Sequence, residues 1–224
     1  MNNYYSKQLS ANKLKRCYNI ASPRIKQYLE AEIKFVLEQI KPSDKVLELG
    51  CGYGRVLKRI AEKAAKVIGI DTSSESIQLA EKYLQDYTNI ELFQMNAKSM
   101  DFKEQSFDVV IGIQNSISAF KVKPEELTKE SLRVTKQNGK VIFSSYSDKI
   151  WQERLDWFAE QSEEGLLGEI NFMKTGKGVI ICKDGFKATT FTKDNFEKLL
   201  RKMKLKGIII EIDNSSIFCV ISNK

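Results

Sequence analysis

The sequence predicts an α/β fold, a doubly wound and mostly parallel sheet of seven strands with helices on both faces. First, a short apolar strand over 45–49 runs into glycines at alternate positions, and an amphipathic helix follows at once. Second, another apolar strand, 67–70, ends at Asp71. Third, the apolar segments 207–212 and 217–221 are joined by a short turn and are expected to pair antiparallel. A strand, a glycine turn and a helix in this order are typical of an open sheet that binds a nucleotide-like ligand.

Composition limits the classes of protein to consider. The chain has 224 residues, enough for one α/β domain and a small appendage. It has no histidine, which excludes a histidine general base and argues against a transition-metal site, so we predict no metal ligand. The four cysteines are too widely spaced for a zinc ribbon or a disulfide framework. With no signal peptide and no long apolar run, we expect a cytoplasmic protein with no membrane partner.

The net charge of +7 raises the question of a nucleic-acid partner. The basic residues are scattered, with local density only at 13–16 and 201–206, and no basic stripe with interleaved aromatics is present. Solvated helix faces explain this distribution of basic residues better than a nucleic-acid-binding surface does. Nucleic acid is therefore not favoured as a partner, although the charge keeps it open.

The glycine turn reads Glu48-Leu-Gly50-Cys51-Gly52-Tyr-Gly54. Glycine lets the backbone approach a ligand closely, and the N-terminus of the following helix presents free N–H groups to negative charge. Dinucleotide-binding turns usually read G-x-G-x-x-G, whereas this turn reads G-x-G-x-G after an acidic residue. A purely structural glycine-rich turn is the alternative interpretation.

Taken together, Glu48 to Gly54 and Gly69 to Ser73 resemble the first two motifs of class I S-adenosylmethionine-dependent methyltransferases. The resemblance implies S-adenosylmethionine as cofactor, its methionyl part against the glycine turn and both ribose hydroxyls on Asp71. It also implies the strand order 3-2-1-4-5-7-6 with the last strand antiparallel. The residues assigned to the cofactor are Tyr18, Glu48, Gly50, Cys51, Gly52, Gly54, Asp71, Thr72, Asn96, Ala97 and Gln114.

Two of these assignments carry an alternative. Residues 1–21 are polar with little periodicity, and in the resembled family the segment before the first helix folds over the cofactor. Tyr18 either contacts the cofactor there or packs within that cover.

Asn96 follows the third predicted strand, 90–95. At this position the resembled family usually has an acidic residue, which accepts a hydrogen bond from the adenine amino group. An asparagine carbonyl accepts the same bond, but the departure weakens this assignment.

The remaining elements are predicted from local signals. Ser22 and Pro23 start a helix that stops near Pro42. Thr72 to Glu75 has the pattern of a capping box. The further elements are a central strand over 106–113, a helix over 124–134, a turn at 138–139, a fifth strand over 141–146 and a helix over 193–203.

Gln114 and Asn115 follow the fourth strand, where the resembled family lines the site around the transferred methyl group. Their amides can orient a nucleophile by hydrogen bonding but remove a proton poorly, so they are candidates for orienting and no catalytic base is identified. Plain polar residues at a strand end are the alternative. The Asp/Asn-Pro-Pro-aromatic motif of many nucleic-acid and protein N-methyltransferases is absent here.

Residues 148–192 are not required by the basic sheet. They contain both tryptophans, Trp151 and Trp157, on a predicted helix, and a hairpin signal at Asp184-Gly185. We expect a small cap beside the carboxyl ends of the strands, which covers the substrate together with Tyr4 and Tyr5. A packing embellishment or a dimer surface is the alternative.

These observations predict a single domain over 1–224. Its parts are an N-terminal cover and helix over 1–41, a cofactor-binding core over 42–147, the cap over 148–192, and a final helix and strand hairpin over 193–224. The predicted function is methyl transfer to a small-molecule acceptor by in-line displacement, through positioning and exclusion of water. An RNA or protein methyltransferase and a non-catalytic S-adenosylmethionine-binding protein are the alternatives. The acceptor atom and the choice between monomer and homodimer are not readable from the sequence.

Overall fold

A computed structural model of the chain describes residues 11–224, and the predicted substrate-cover residues Tyr4 and Tyr5 lie outside this range. Seven strands form one sheet in the order β3-β2-β1-β4-β5-β9-β8, and β9 runs antiparallel to both of its neighbours. The two other strands, β6 and β7, form a separate hairpin. With that hairpin set aside, the predicted order 3-2-1-4-5-7-6 is confirmed. The strands are β1 (Lys45–Leu49), β2 (Lys66–Asp71), β3 (Ile90–Gln94), β4 (Phe107–Gly112), β5 (Thr135–Tyr146), β6 (Val179–Ile181), β7 (Lys187–Thr189), β8 (Gly207–Ile212) and β9 (Ser216–Ser222).

Helices flank the sheet and begin at recognisable caps. Ser22 accepts a hydrogen bond from the backbone N–H of Ile25, and Thr192 forms a reciprocal capping box with Asn195. Within residues 11–224, no helix is long and apolar enough to cross a membrane. The helices are α1 (Ala11–Asn19), α2 (Pro23–Gln39), α3 (Arg55–Ala61), α4 (Ser74–Tyr83), α5 (Ser116–Ala119), α6 (Pro124–Val134), α7 (Trp151–Glu163) and α8 (Lys193–Met203), with a 3₁₀ turn at Asp148–Ile150.

Apolar side chains bury both faces of the sheet, as the near-continuous apolar strands predict. In β1, Val46 belongs to the cluster on one face, while Leu47 and Leu49 belong to the cluster on the other. A third cluster joins α1 and α2 to α7 and the β6–β7 hairpin. Its largest members include Tyr28 and Trp157. The N-terminal helices therefore pack against the segment predicted to be a cap.

The structure differs from the sequence-based expectations in three places. Residues 11–19 form a helix that was not predicted, because Leu14, Cys17 and Tyr18 recur at helical spacing and α1 packs against the cap and α4. The fifth strand begins at Thr135, immediately after α6, because Thr135 pairs with Phe107 of β4. The N-cap of α4 is Ser73, whose hydroxyl accepts from the N–H of Ser76, so the predicted capping box is wrong by one residue.

Candidate functional site

The cleft at the carboxyl ends of β1, β2 and β4 is formed by the loops that follow these strands and by α1. Six residues that define its extent are Gly50, Gly52, Asp71, Ala97, Ile113 and Gln114. The cleft lies where parallel sheets of this kind bind ligands, because neighbouring loops diverge there.

The glycine turn brings its backbone to the cleft wall. Gly52 has a φ of 54°, and a Cβ at this position would lie 2.9 Å from Cδ2 of Leu14 on α1. Its N–H donates to Oδ2 of Asp71 at 2.9 Å. The turn is therefore held open to the cleft, and any side chain at Gly52 would enter the space between the turn and α1.

Two predicted cofactor residues of this turn have packing roles instead. Gly54 is the N-cap of α3, and a Cβ there would lie 2.5 Å from Leu84. The Cys51 thiol is buried in the core on one face of the sheet, and the Cys51 N–H donates to the carbonyl of Ile70. Neither residue lines the cleft. Their positions therefore give no support to these two assignments, because the side of the turn that carries them faces the core.

Asp71 ends β2 at the edge of the cleft, and Thr72 lies beside it. Its two carboxylate oxygens accept hydrogen bonds from the N–H groups of Gly52, at 2.9 Å, and Ser73, at 2.8 Å. Burial raises the pKa of this carboxyl above its ordinary value, and the backbone donors oppose that shift. A carboxylate has about four lone-pair sites, and the backbone N–H groups of Gly52, Thr72 and Ser73 use three of them, so the residue can fix the turn and still accept from a ligand hydroxyl.

Asn96 and Ala97 line the other wall of the cleft, with Met95 and Ile113 as apolar neighbours. Oδ1 of Asn96 accepts from the N–H of Lys98 at 2.9 Å. This bond orients the amide and leaves one lone pair for a donor on a ligand. The apolar side chains suit the faces of a flat ring.

These residues fit the cofactor that the resemblance implies. A polar end at Asp71 suits ribose hydroxyls, the apolar wall beyond it suits adenine, and Gly50 and Gly52 present backbone without side chains where the resemblance implies the methionyl part. Tyr18 also lines this cleft. Glu48 does not, so its assignment to the cofactor receives no support from its position.

Glu48 is buried behind the turn, and burial raises the pKa of its carboxyl to about 8. The positive charge of Arg55 opposes this shift. The Arg55 guanidinium lies 4.7 Å from the centre of the Tyr18 ring, so the pair covers the inner side of the cleft.

Gln114 is held at the junction between the cleft and the molecule's interior. Its backbone N–H donates to Oε2 of Glu32 at 3.0 Å and to Oγ of Ser144 at 2.8 Å. The Tyr18 hydroxyl donates to its Oε1 at 2.8 Å. Gln114 has a φ of 57°, a conformation that costs a non-glycine residue about 1 kcal/mol and that these bonds maintain. Its Nε2 is buried and has no hydrogen-bond partner within residues 11–224.

Glu32 is the residue of the site that sequence reasoning missed. It is fully buried on α2, and burial raises the pKa of its carboxyl to about 7, against hydrogen bonds from Ser144, Ser216 and the N–H of Gln114. The sequence does contain a signal for this residue, because Glu32 falls on the same buried face of the helix as Tyr28 and Val36. An acidic residue at a core position of an amphipathic helix indicates a specific buried partner.

Asn115 is the second predicted orienting residue, and both ends of its amide are hydrogen-bonded. Its Nδ2 donates to the carbonyl of Thr189 in β7 at 3.0 Å, and its Oδ1 accepts from the hydroxyl of Ser145 in β5 at 2.8 Å. The side chain therefore ties the hairpin to the sheet. Asn115 lies beside a second cavity rather than the cleft, whereas Gln114 lines both, and the orienting role of Asn115 stays a prediction.

A second cavity adjoins the cleft and shares Leu14, Tyr18, Gln114 and Ala119 with it. We call this second space the aromatic cavity. No Asp, Glu, Lys or Arg of the described residues lines it. Its remaining lining residues are Cys17, Tyr28, Leu29, Asn115, Tyr146, Trp157, Phe158, Gln161 and Ala188.

The two tryptophans predicted to cover the substrate lie in different places. Trp157 lines the aromatic cavity, and its Nε1–H donates to the carbonyl of Cys17 at 2.9 Å, which joins α7 to α1. Trp151 lines a separate surface pocket with Arg154 and Thr190 and does not reach the aromatic cavity. The position of α7 explains the difference, because the two rings project from different sides of the helix.

Comparison with known proteins agrees with this architecture. The chain is 22% identical to the PH0226 protein from Pyrococcus horikoshii OT3, whose crystal structure superposes with a TM-score of 0.68 and full coverage of both chains. It is 30% identical to YqeM of Bacillus subtilis over 135 residues, 58% of this chain and 55% of that protein. It is 36% identical to a demethylmenaquinone methyltransferase of Lactococcus lactis over 107 residues, 43% and 40% of the two chains. Other relatives include a ribosomal RNA small subunit methyltransferase.

The matches to curated relatives thus span about half of those proteins' lengths or less. A family model described as a methyltransferase domain matches residues 46–139, the part that builds the cleft. The predicted family and cofactor are confirmed by this match together with the fold. The chain therefore contains a class I S-adenosylmethionine-dependent methyltransferase domain, and the matched residues 46–139 hold the glycine turn and the strands from β1 to β4.

Proposed function

We propose that this protein transfers the methyl group of S-adenosylmethionine to a neutral small-molecule acceptor that enters the aromatic cavity. The observation that carries the proposal is the character of this cavity. It adjoins the cofactor cleft, is walled by aromatic side chains and has no charged lining residue among those described. Such a wall suits a small apolar molecule and disfavours an ionic one, whose charge would be desolvated without a counter-ion.

We further propose which residues hold the cofactor. They are Tyr18, Gly50, Gly52, Asp71, Thr72, Asn96, Ala97 and Gln114. When bound, S-adenosylmethionine supplies an electrophilic methyl group on a sulfonium sulfur that leaves as a neutral thioether. The protein's part is to align the acceptor and exclude water, which in well-oriented systems lowers a barrier by about 7–11 kcal/mol.

The chain's own residues support positioning rather than proton removal. Glu32 and Ser144 fix the backbone of Gln114, and the Tyr18 hydroxyl fixes its side chain. Burial raises the pKa of the Tyr18 phenol well above its ordinary value, so Tyr18 stays protonated and acts as a donor. An acceptor that reacts as a neutral amine, or that ionises readily by itself, suits this site.

The cap completes the proposed enclosure. The bond between Trp157 and Cys17 closes the aromatic cavity on the α1 side, and that between Asn115 and Thr189 closes it on the hairpin side. We propose that residues 148–192 cover the acceptor during reaction. The alternative use of this segment as a dimer surface predicts a stable homodimer in solution instead.

Two other functions remain as competitors. An RNA or protein methyltransferase is favoured by the net charge of +7 and disfavoured by the aromatic cavity, which no charged side chain of residues 11–224 lines. A non-catalytic S-adenosylmethionine-binding protein is favoured because no catalytic base is identified. Each competitor makes a different prediction for turnover.

The test measures S-adenosylhomocysteine formation with panels of neutral small molecules, structured RNA and unfolded protein. We expect cofactor binding near micromolar affinity by calorimetry, no preference for NAD, and turnover with the small-molecule panel only. Turnover restricted to RNA or protein would overturn the proposed acceptor class. Binding of NAD without binding of S-adenosylmethionine would overturn the cofactor assignment as well.

We also propose a cytoplasmic location. All four cysteines are buried free thiols, which suits a reducing compartment. Fractionation of cells that express the tagged protein tests this, and recovery outside the cytoplasm would contradict it.

A further inference from the structure

Two glutamines that line the aromatic cavity have buried amide N–H groups without a hydrogen-bond partner among the described residues. Gln161 on α7 is 3% exposed, and its Nε2 has no hydrogen-bond partner within the described chain. Nε2 of Gln114 is likewise buried without a partner in residues 11–224. Both residues line this cavity. A buried amide N–H that meets no acceptor is costly, so its presence beside a cavity calls for an acceptor on a ligand.

We propose that Gln161 and Gln114 select an acceptor molecule that carries a neutral hydrogen-bond-accepting group, such as a carbonyl oxygen or a pyridine-type ring nitrogen. This inference rests on the proposed function, since it assigns the substrate class of the same cavity. Gln114 stands at the junction with the cofactor cleft, whereas Gln161 stands in the cavity alone. The selected group is therefore bound by Gln161, at the end of the cavity away from the cofactor, while Gln114 donates nearer the reacting atom.

The orientation of Gln114 supports this assignment. Its Oε1 accepts from the Tyr18 hydroxyl, which fixes the amide and leaves the Nε2–H groups as its unused donors. No Lys or Arg in the described part of the chain lines the cavity, so a carboxylate or phosphate would enter without a counter-ion from these residues. Tyr146, Trp157 and Phe158 supply the apolar wall for the rest of the molecule. The favoured ligand is thus neutral and largely apolar, with one exposed lone pair.

The experiment uses two probes of similar shape, acetophenone and ethylbenzene, of which only acetophenone has a hydrogen-bond-accepting oxygen. Binding to the full chain saturated with S-adenosylhomocysteine is measured by ligand-observed NMR titration. We expect acetophenone to bind at least about tenfold more tightly than ethylbenzene. In Gln161→Leu, which keeps the volume and removes the amide, this ratio should fall by about tenfold.

The matched control is Gln152→Leu, because Gln152 lies exposed on the same helix, where its amide donates to Asp156. It should keep the wild-type ratio. Gln161→Met provides a second variant if Gln161→Leu folds poorly, as judged by circular dichroism and thermal melting. It should lose the preference in the same way.

The outcomes separate the inference from the proposed function. Equal binding of both probes to the wild type, or an unchanged ratio in a folded Gln161 variant, would overturn the inference and leave the small-molecule acceptor standing. Failure of both probes to bind while S-adenosylhomocysteine binds would overturn the inference and contradict the aromatic cavity as the acceptor site.

Discussion

Glu32 is expected to make the stability of this protein depend on pH. Its carboxyl is fully buried, where it accepts from the N–H of Gln114 at 3.0 Å and from the hydroxyl of Ser216 at 2.9 Å. These donors do not fully replace water, so burial raises its pKa from 4.5 to about 7. Substitution of Glu32 by Gln keeps the size of the side chain and removes its titration.

The sign and size of the pH effect of Glu32 on the free energy of unfolding follow from proton linkage. Below pH 4.5 Glu32 is protonated in both states, whereas between pH 4.5 and about 7 the native state holds a proton that the unfolded chain has released. The native state is therefore favoured at low pH, and this contribution is lost as the pH rises through about 7. One pKa unit corresponds to about 1.4 kcal/mol, so the full difference amounts to about 3 kcal/mol.

The assay is urea unfolding at several pH values between 5 and 8.5, with the free energy of unfolding extrapolated to water. The wild type should lose about 3 kcal/mol more than Glu32→Gln over this range. Other buried carboxyls, such as Glu48, titrate in both proteins and largely cancel in the difference. Glu30→Gln, an exposed position on the same helix, should behave as the wild type. Equal pH dependence in the wild type and Glu32→Gln would refute the reasoning.

Four further outcomes are expected. Asp71→Asn replaces an accepting oxygen by a donor facing a backbone N–H, so the dissociation constant for S-adenosylhomocysteine should rise about tenfold or more by calorimetry. Gly52→Val should abolish cofactor binding, because a Cβ would lie 2.9 Å from Leu14 and φ is 54°. Turnover should be insensitive to EDTA, because residues 11–224 contain no cluster of three potential metal ligands among His, Cys, Asp and Glu. S-adenosylhomocysteine should slow hydrogen exchange across 148–192, as expected of a cover.

Each of these four predictions has a control variant or a result that would contradict it. Asp101→Asn, at an exposed position, should bind normally, and unchanged binding by Asp71→Asn would place the ribose contact elsewhere. Gly165→Val carries the same backbone penalty at a φ of 67° but meets nothing within 4 Å, so it should lower stability without loss of binding. Activity lost with EDTA and restored by magnesium would contradict the third prediction. Unchanged exchange in a tight dimer would favour an interface over a cover.

The order of strands and the position of the glycine turn were predictable because their causes are local. Alternation and continuity of apolar residues determine which segments are buried strands, and the cap residues Ser22 and Thr192 mark where helices begin. Parallel strands present their carboxyl ends on one edge of the sheet, so Gly52, Asp71 and Gln114 were expected at one place, and they lie in one cleft.

The contacts that shape the site were not predictable in this way. Glu32 meets Gln114 across 82 positions of sequence, Asn115 meets Thr189 across 74, and Trp157 meets Cys17 across 140. Sequence periodicity indicates that a residue faces a core, but not which distant group it meets there. The packing of helix α1 and the hydrogen bonds of Asn115 both depend on such long-range contacts.

The sequence by itself therefore determined the sheet, the turn and the family of the cofactor, since these depend on short patterns that specify backbone conformation. Only the tertiary structure decided that a carboxyl on α2 supports Gln114, that Trp157 rather than Trp151 lines the aromatic cavity, and that Cys51 and Gly54 face the core. The physical reason is that hydrogen bonding, burial and pKa depend on which side chains share a volume from which water is excluded. That volume exists only after distant segments have packed together.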